Sequence, residues 1–540
     1  MKSNKTKFSE FLSIKFRCIL ITFLLVISCN IVHSQTPDPT ISKLFQNSYQ
    51  VINTMRLYGG LYLDAMAIGA TDKPAGLAAN GVGLVSLCIA DAMYKKTNDA
   101  VNWDANAESK ALQTINEWIR LKNTKGATNV NGLFYRYFNP SNGSWVWVTE
   151  HSTIDNAILA AGFLFCRNYF NTNAEIVAKT TTLLNSMDFT AAIPVSGDRL
   201  NMILDDNGIG SAPTYPFNEY LVLAWFAKNS NPSFSGYDRA QTYWNSTFRD
   251  PNNLPKYNYP SGNLTLSGAT TYAQPSFHVQ FSFYYCHYFG NNGDYMNYFT
   301  NMLTADSTWW QNNTSQKIAW GCGAGEIPGG GYSADAVNNN SQKIVSPHIM
   351  AGFSPVYPDV RNDLIALYAD GTGSGVYKIP GTNREFLWRY KLNQPTARTS
   401  YVQAVDFSTM LYGLAALPEY LGPDFFRIYN DFDFNPTGVT NRLENSKQVL
   451  EIYPNPFSDQ TKIVFELSAK SQVRLEIYSA TGQKIRQLIH GELVAGKHTI
   501  AWNACSETNS LVPAGMYICK LRIDNQPDQT KQMVVVKNME

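Results

Sequence analysis

Between about Ser42 and Leu421, apolar residues recur mainly at the three-to-four-residue spacing of helices. The spacing predicts helices over 77–93, 111–121, 154–169, 220–226 and 277–289, separated by loops rich in Gly, Asn, Pro and Ser. From about Leu450 the pattern changes to short alternating runs. Those at 462–467, 473–478, 498–502 and 516–523 predict strands, with turns at Thr481-Gly482 and Pro513-Ala514-Gly515. A polar stretch from Phe434 to Ser446 parts the two regions. The expected class is mainly α, with a large domain over 35–435, a linker over 436–447 and a small β domain over 448–540.

The first residues do not belong to the fold. Lys2, Lys5, Lys7, Lys15 and Arg17 flank or precede a charge-free apolar run of 12 residues, Cys18 to Cys29. Such a run is too short to span a bilayer and suits a signal-peptide core. Val32-His33-Ser34 offers a cleavage site before Gln35, so residues 1–34 read as a leader. Val26-Ile27-Ser28-Cys29 also resembles a bacterial lipobox, the rival cut. No later stretch reads as long and apolar enough to cross a membrane. The mature chain is expected to pass through the periplasm and to end up secreted or attached to the outer-membrane surface.

Lys and Arg number 43 against 42 Asp and Glu, which argues against a nucleic-acid binder built on a basic surface. Charged residues are only 16% and aromatics 13%, a balance that suits polar, uncharged ligands such as sugars. Six cysteines remain after the leader: Cys88, Cys166, Cys286, Cys322, Cys505 and Cys519. None forms a CxxC, so a zinc site is not indicated. Cys505 and Cys519 are close enough in sequence to pair across a hairpin.

The chain lacks GxGxxG after a strand, GxxxxGK[ST], HExxH and GxSxG. No cofactor or metal is expected. Carboxylates remain as the chemistry of an exported hydrolase, and four acidic segments stand out. Ser152 with Asp155 reads as a variant capping box, leaving Asp155 either a cap or a site residue. Asn218 can cap a helix with Glu219 in its first turn, among Tyr215, Phe217 and Tyr220. Asp406 stands at the start of the last long helix. Glu326 lies in a glycine-rich segment between Trp320 and Tyr332 that reads as a loop. Tyr215, Trp320 and Tyr332 are candidate sugar platforms, whereas Trp225 reads as core. Helices whose N-termini meet at one end of an α/α toroid would gather three of these carboxylates in one cleft.

Two resemblances sharpen this picture. Tyr453-Pro454-Asn455-Pro456-Phe457, Ile477 to Gln483, Pro513 to Tyr517 and Lys531 to Lys537, in that order, resemble the type A sorting domain of the Bacteroidota type IX secretion system. The resemblance implies a small β-sandwich and a partner, the type IX machinery. Ser152 to Ala157, Asn218-Glu219-Tyr220, Gln274 to Phe283 with His278, Trp320-Gly321 with Gly331-Tyr332, and Ser346 to Pro355 resemble the bacterial glucoamylase-like family over about 45–425. That family includes endo-β-1,2-glucanases. It implies an (α/α)6 toroid and inverting hydrolysis of a β-glucan, with β-1,2 linkage foremost. By position it implies Glu219 as general acid and Asp406 as general base. Glu150, Asp155, Tyr215, Gln274, His278, Trp320, Glu326 and Tyr332 are the expected substrate contacts. The chain departs from the family pattern at 323–327 and 384–393, both expected substrate loops. Two other readings stay open: a polysaccharide lyase using Arg199 and His278, and a non-catalytic surface glycan-binding protein.

Overall fold

The computed structural model describes residues 37–535 apart from 148, 215–216, 262–263, 270, 317, 371–374, 437–449, 454, 456, 468–469, 480–482 and 525–528. The expected leader, Tyr215, Pro454, Pro456, the Thr481-Gly482 turn and nearly all of the linker lie outside these residues. The chain divides into two compact units, meeting between Phe434 and Asn435.

In the first unit six helices pack in sequence order, each on the next: Leu77–Thr97, Thr153–Tyr169, Leu221–Lys228, Phe277–Tyr285, Pro347–Gly352 and Ala404–Ala415. The last packs back on the first, so the order closes into a ring. These helices are buried almost all round, as in 221–227 and 404–415, where apolar and small residues follow one another without a polar face. Helices outside the ring are amphipathic. Ala107–Lys122 buries Ala111, Thr114, Ile115, Trp118 and Leu121, one stripe at helical spacing, against its neighbours.

The ring is tight because small residues line its contacts. A Cβ on Gly162 would lie 2.7 Å from the Cα of Gly81, and one on Gly413 would lie 2.0 Å from the carbonyl oxygen of Ala351. The closure also has a sheet component. Ala65–Ala67 pairs antiparallel with Tyr401–Gln403, and the Ala404 N–H donates to the Asp64 carbonyl at 3.0 Å. Residues from the two ends of the unit thereby stand side by side.

Three expectations are corrected here. The glycine-rich segment is a hairpin, not a loop: Ala324–Glu326 pairs with Tyr332–Ala334. Gly329, Gly330 and Gly331, all at positive φ, make its turn. Helix 277–289 is broken at Cys286, whose extended backbone separates Phe277–Tyr285 from His287–Asn291. Leu77–Thr97 is long and apolar enough to cross a membrane, although 89% of that apolar stretch is packed inside the unit. Two glycines and several alanines dilute its apolar run in the sequence.

The second unit holds a three-stranded sheet, Glu451–Tyr453, Thr461–Leu467 and Gly496–Trp502, and a four-stranded one in the order Lys484–Leu493, Ser471–Ser479, Gly515–Ile523, Gln529–Val535. Both feed one core that includes Ile463, Phe465, Leu475, Ile477, Trp502 and Leu521. Cys505 and Cys519, which could have paired by their spacing, are free thiols. Cys519 sits in the middle of the 515–523 strand, facing this core, and Cys505 lies in the loop after Trp502.

The glycine contacts give a direct test. Gly162→Ala forces backbone apart where two ring helices cross, and overpacking of this kind costs about 1–3 kcal/mol. We expect a lower denaturant midpoint with an unchanged slope.

Candidate active site

Ring closure builds the site. Asp64 precedes the 65–67 strand, Asp406 lies in the first turn of the 404–415 helix, and the strand pairing sets them together. Asp155 comes from the first turn of the 153–169 helix. Half of the expected capping box is present: the Ser152 hydroxyl accepts the Asp155 N–H at 3.3 Å, while the Asp155 carboxylate accepts from that hydroxyl rather than from the Ser152 N–H. All three carboxylates line one cleft of about 410 Å3, together with Arg136, Lys73 and Glu326. Tyr137, Trp147, Tyr332 and Tyr401 supply its aromatic wall.

The electrostatics follow from this crowding. Burial, then the negative charges of Asp155 and Asp406, push the Asp64 carboxyl up to about 7 against the pull of Arg136 and Lys73. Burial also lifts Asp406, to about 6; Arg389, the Tyr332 hydroxyl and Arg136 resist that rise. Tyr332 donates to Asp406 with 3.1 Å to each carboxylate oxygen. Arg136 is itself held between two acids, 3.3 Å from Glu150 and 3.5 Å from Asp155. At the rim, the Lys73 ammonium sits 4.3 Å from the Tyr401 ring centre and 5.4 Å from that of Trp147.

The hairpin that carries Tyr332 depends on Arg389, a fully buried side chain. Its guanidinium donates to the carbonyls of Gly323, Gly325, Glu326 and Ser333 and pairs with Asp335. One Glu326 oxygen accepts the N–H groups of Ser400 (2.7 Å) and Tyr401 (2.5 Å), tying the hairpin to the strand that leads to Asp406.

Glu219 lies in the turn before the 221–228 helix, whose N-cap is Tyr220, so the expected Asn218 cap with Glu219 in the first helical turn is not formed. Burial raises its carboxyl, and the charge of Asp155 adds to the effect. Asp155 therefore acts on both Glu219 and Asp406, although Glu219 is not among the cleft-lining side chains. Phe217, two residues before it, has φ of 108° and Trp147 has φ of 58°, so strained backbone flanks the site on two sides. Glu150 stands behind the cleft as the partner of Arg136.

Four expected contacts, Glu150 among them, do not line the cleft. His278 is fully buried, with Nε2 bonded to the Ser267 hydroxyl and Nδ1 to the Pro275 carbonyl, and burial pushes its imidazole down to about 4. Trp320 is core: its ring packs near Phe353 and its indole N–H donates to Asp363 at 3.0 Å. Gln274 is half-buried beside the 277–285 helix, away from the cleft lining. Asp64, Lys73, Arg136, Tyr137, Trp147 and Tyr401 were missed. A usable signal existed for one pair: Trp145 and Trp147 stand two apart in a polar loop that leads to Glu150.

Comparison with solved structures places the first unit. The endo-β-1,2-glucanase of Chitinophaga pinensis, bound to sophorotriose and glucose, matches with a TM-score of 0.54 at 15% identity, over 73% of this chain and 97% of its own. A glucoamylase-like protein of Bacteroides uniformis matches at 0.58 and 14% identity, over 72% and 95%. The Talaromyces funiculosus endo-β-1,2-glucanase with sophorose matches at 0.53 and 12%, over 76% and 88%. The helical unit shares their fold. Residues 451–537 match the secretion system C-terminal sorting domain, which indicates type IX secretion. No curated protein matches the chain in sequence.

Asp64 makes stability depend on pH in an uncommon direction. Its carboxyl moves from 3.8 to about 7 on folding, so the folded chain holds a proton that the unfolded chain has lost. Its contribution to stability is greatest at acid pH and falls as pH rises from about 4 to about 7. Asp64→Asn cannot ionise. We expect it to flatten that fall and to raise the denaturant midpoint above pH 7 relative to wild type.

Proposed function

We propose that the first unit is an (α/α)6 toroid glycoside hydrolase that cleaves a β-glucan, with β-1,2-linked chains as the leading substrate. One observation carries the reading. Asp64, Asp155 and Asp406 line a single aromatic-walled cleft, the arrangement that two-carboxylate sugar hydrolysis needs. The ring of six helices supports the toroid, and the shared fold with endo-β-1,2-glucanases supports the substrate class. The second unit is read as a small β-sandwich that engages the type IX machinery and delivers the enzyme to the medium or the outer-membrane surface.

In this reading Asp406 is the general base. The Tyr332 hydroxyl orients its carboxylate and stabilises the charged form, and the nearby guanidinium of Arg389 acts in the same sense. Glu219, outside the cleft lining and held protonated by burial, is the general acid and delivers its proton to the leaving oxygen through a substrate hydroxyl. Asp64, protonated near neutrality, donates a hydrogen bond to the sugar between Asp155 and Asp406. Water attacks from the face opposite the leaving group and the anomeric configuration inverts. Inversion calls for a base-to-acid separation of roughly 6.5–9.5 Å with substrate bound.

The test is reducing-end release by the chain from Gln35 onward on linear β-1,2-glucan, laminarin, starch and a polyuronate. We expect activity on a glucan, with inversion seen by NMR of the first product. Asp406→Asn is expected to lose about 100- to 10,000-fold in kcat. Silence across the panel by the folded chain, or an Asp406→Asn variant that keeps full activity, would overturn the assignment.

Tyr332→Phe tests the base separately. A base must be ionised, so activity rises with pH through the Asp406 titration near 6. Removing a hydrogen bond to the ionised form raises that titration. The acid limb of kcat is expected to move to higher pH, with a smaller change at its plateau.

A further inference from the structure

A second cavity, of about 400 Å3, lies on the other side of the Arg136–Glu150 ion pair. Its walls come from the loop that ends in His151 and from the strand Leu200–Leu204 with the turn after it. Trp145 opens onto it with 56% of its surface exposed, and Tyr135, Glu150, His151, Asp205 and Asp206 complete the polar wall. Nothing in the hydrolytic reading uses it.

The cavity is built rather than incidental. The Tyr135 ring stacks on that of His151 at 4.1 Å between centres. The Tyr135 hydroxyl and His151 Nε2 both donate to Asp206 Oδ1, at 2.9 and 3.0 Å. Asp205 is fixed in its turn by the N–H groups of Asn207 and Ile209. Two polar atoms of the wall, Thr149 Oγ1 and His151 Nδ1, are buried with no hydrogen-bond partner among the described residues.

The chemistry selects the ligand. An exposed indole offers a flat apolar face to the C–H side of a pyranose. Three carboxylates accept hydrogen bonds from hydroxyls. Among the described lining residues no Lys or Arg is present, so the wall offers an anionic glycan no cationic partner. The position selects the source. Trp145 lines this cavity and Trp147 lines the cleft, two residues apart on one loop, and Glu150 joins the two walls through Arg136.

We propose that this cavity is a distal subsite for neutral sugar, holding a remote part of the glucan chain whose scissile bond lies in the cleft. The proposal rests on the hydrolase reading for the identity of the chain. It makes the protein prefer long substrates, since a short oligosaccharide cannot occupy both places.

Trp145→Ala in the full exported chain tests it, because an exposed side chain can be removed without disturbing the core. Loss of an aromatic platform is expected to raise KM on linear β-1,2-glucan about tenfold, with kcat and the KM for sophorotriose unchanged; Trp145→Phe should keep most of the affinity. Calorimetric titration of the same glycan panel into Asp406→Asn, with and without Trp145→Ala, separates the two readings. Weaker glucan binding in the double variant supports the subsite even where the wild type proves inactive. Equal binding by both variants, binding of the polyuronate in preference to neutral glucans, or no binding to any of the four glycans would overturn it.

Discussion

The cleft depends on one buried cation. A hairpin with glycines at 323, 325, 329, 330 and 331 has few side chains with which to make a core, so Arg389 fills that place. Its planar fork of donors gathers carbonyls from both strands of the hairpin, a geometry that an ammonium cannot reproduce. Asp335 neutralises the charge. A buried ion pair of this type is weak evidence of stability, since its desolvation offsets much of the attraction. Its value here is positional. With the hairpin fixed, Tyr332 meets Asp406 and Glu326 meets the backbone at 400–401. The same guanidinium also opposes the rise of the Asp406 carboxyl, so scaffold and electrostatics share one residue.

The carboxylates are the second constraint, because Asp64, Asp155, Glu326 and Asp406 share one cavity and cannot all be charged at low cost. Arg136 answers part of this by sitting against Asp155 and Glu150, and Lys73 adds a positive charge at the rim. The remainder is absorbed by protonation, which falls on Asp64. The result is a site that can hold protons at neutral pH without any histidine.

Helix starts were the legible part of the site. Ser152 with Asp155, Asn218 with Glu219, and the apolar run after Asp406 are local patterns, and the structure keeps each at a helix N-terminus or in the turn before it. Asp64 gave no such signal, because its neighbourhood depends on a strand pairing across more than 330 residues of chain. Arg389 lay in a segment read as a substrate loop; only burial reveals it as an anchor. His278 and Trp320 carry the right chemistry in the wrong place, since residue type says nothing of which wall a side chain faces. In the second unit the 484–493 strand escaped notice because most of its residues are half-exposed on both faces, which blurs the alternation. The core-facing strands around it, with Leu475 and Ile477 or Leu521 and Ile523 two apart, were plain.

The ring contact between the 404–415 helix and the 77–97 helix has a consequence for the order in which the protein comes into being. A ribosome releases the first carboxylate of the cleft early and the last only when about three quarters of the chain has been made. Contacts this distant in sequence form late and slowly. Until they form, the nascent chain has neither a floor nor a far wall to its cleft. The cleft is therefore complete only once the chain has passed Asp406, and a product ending before that residue would lack its last wall.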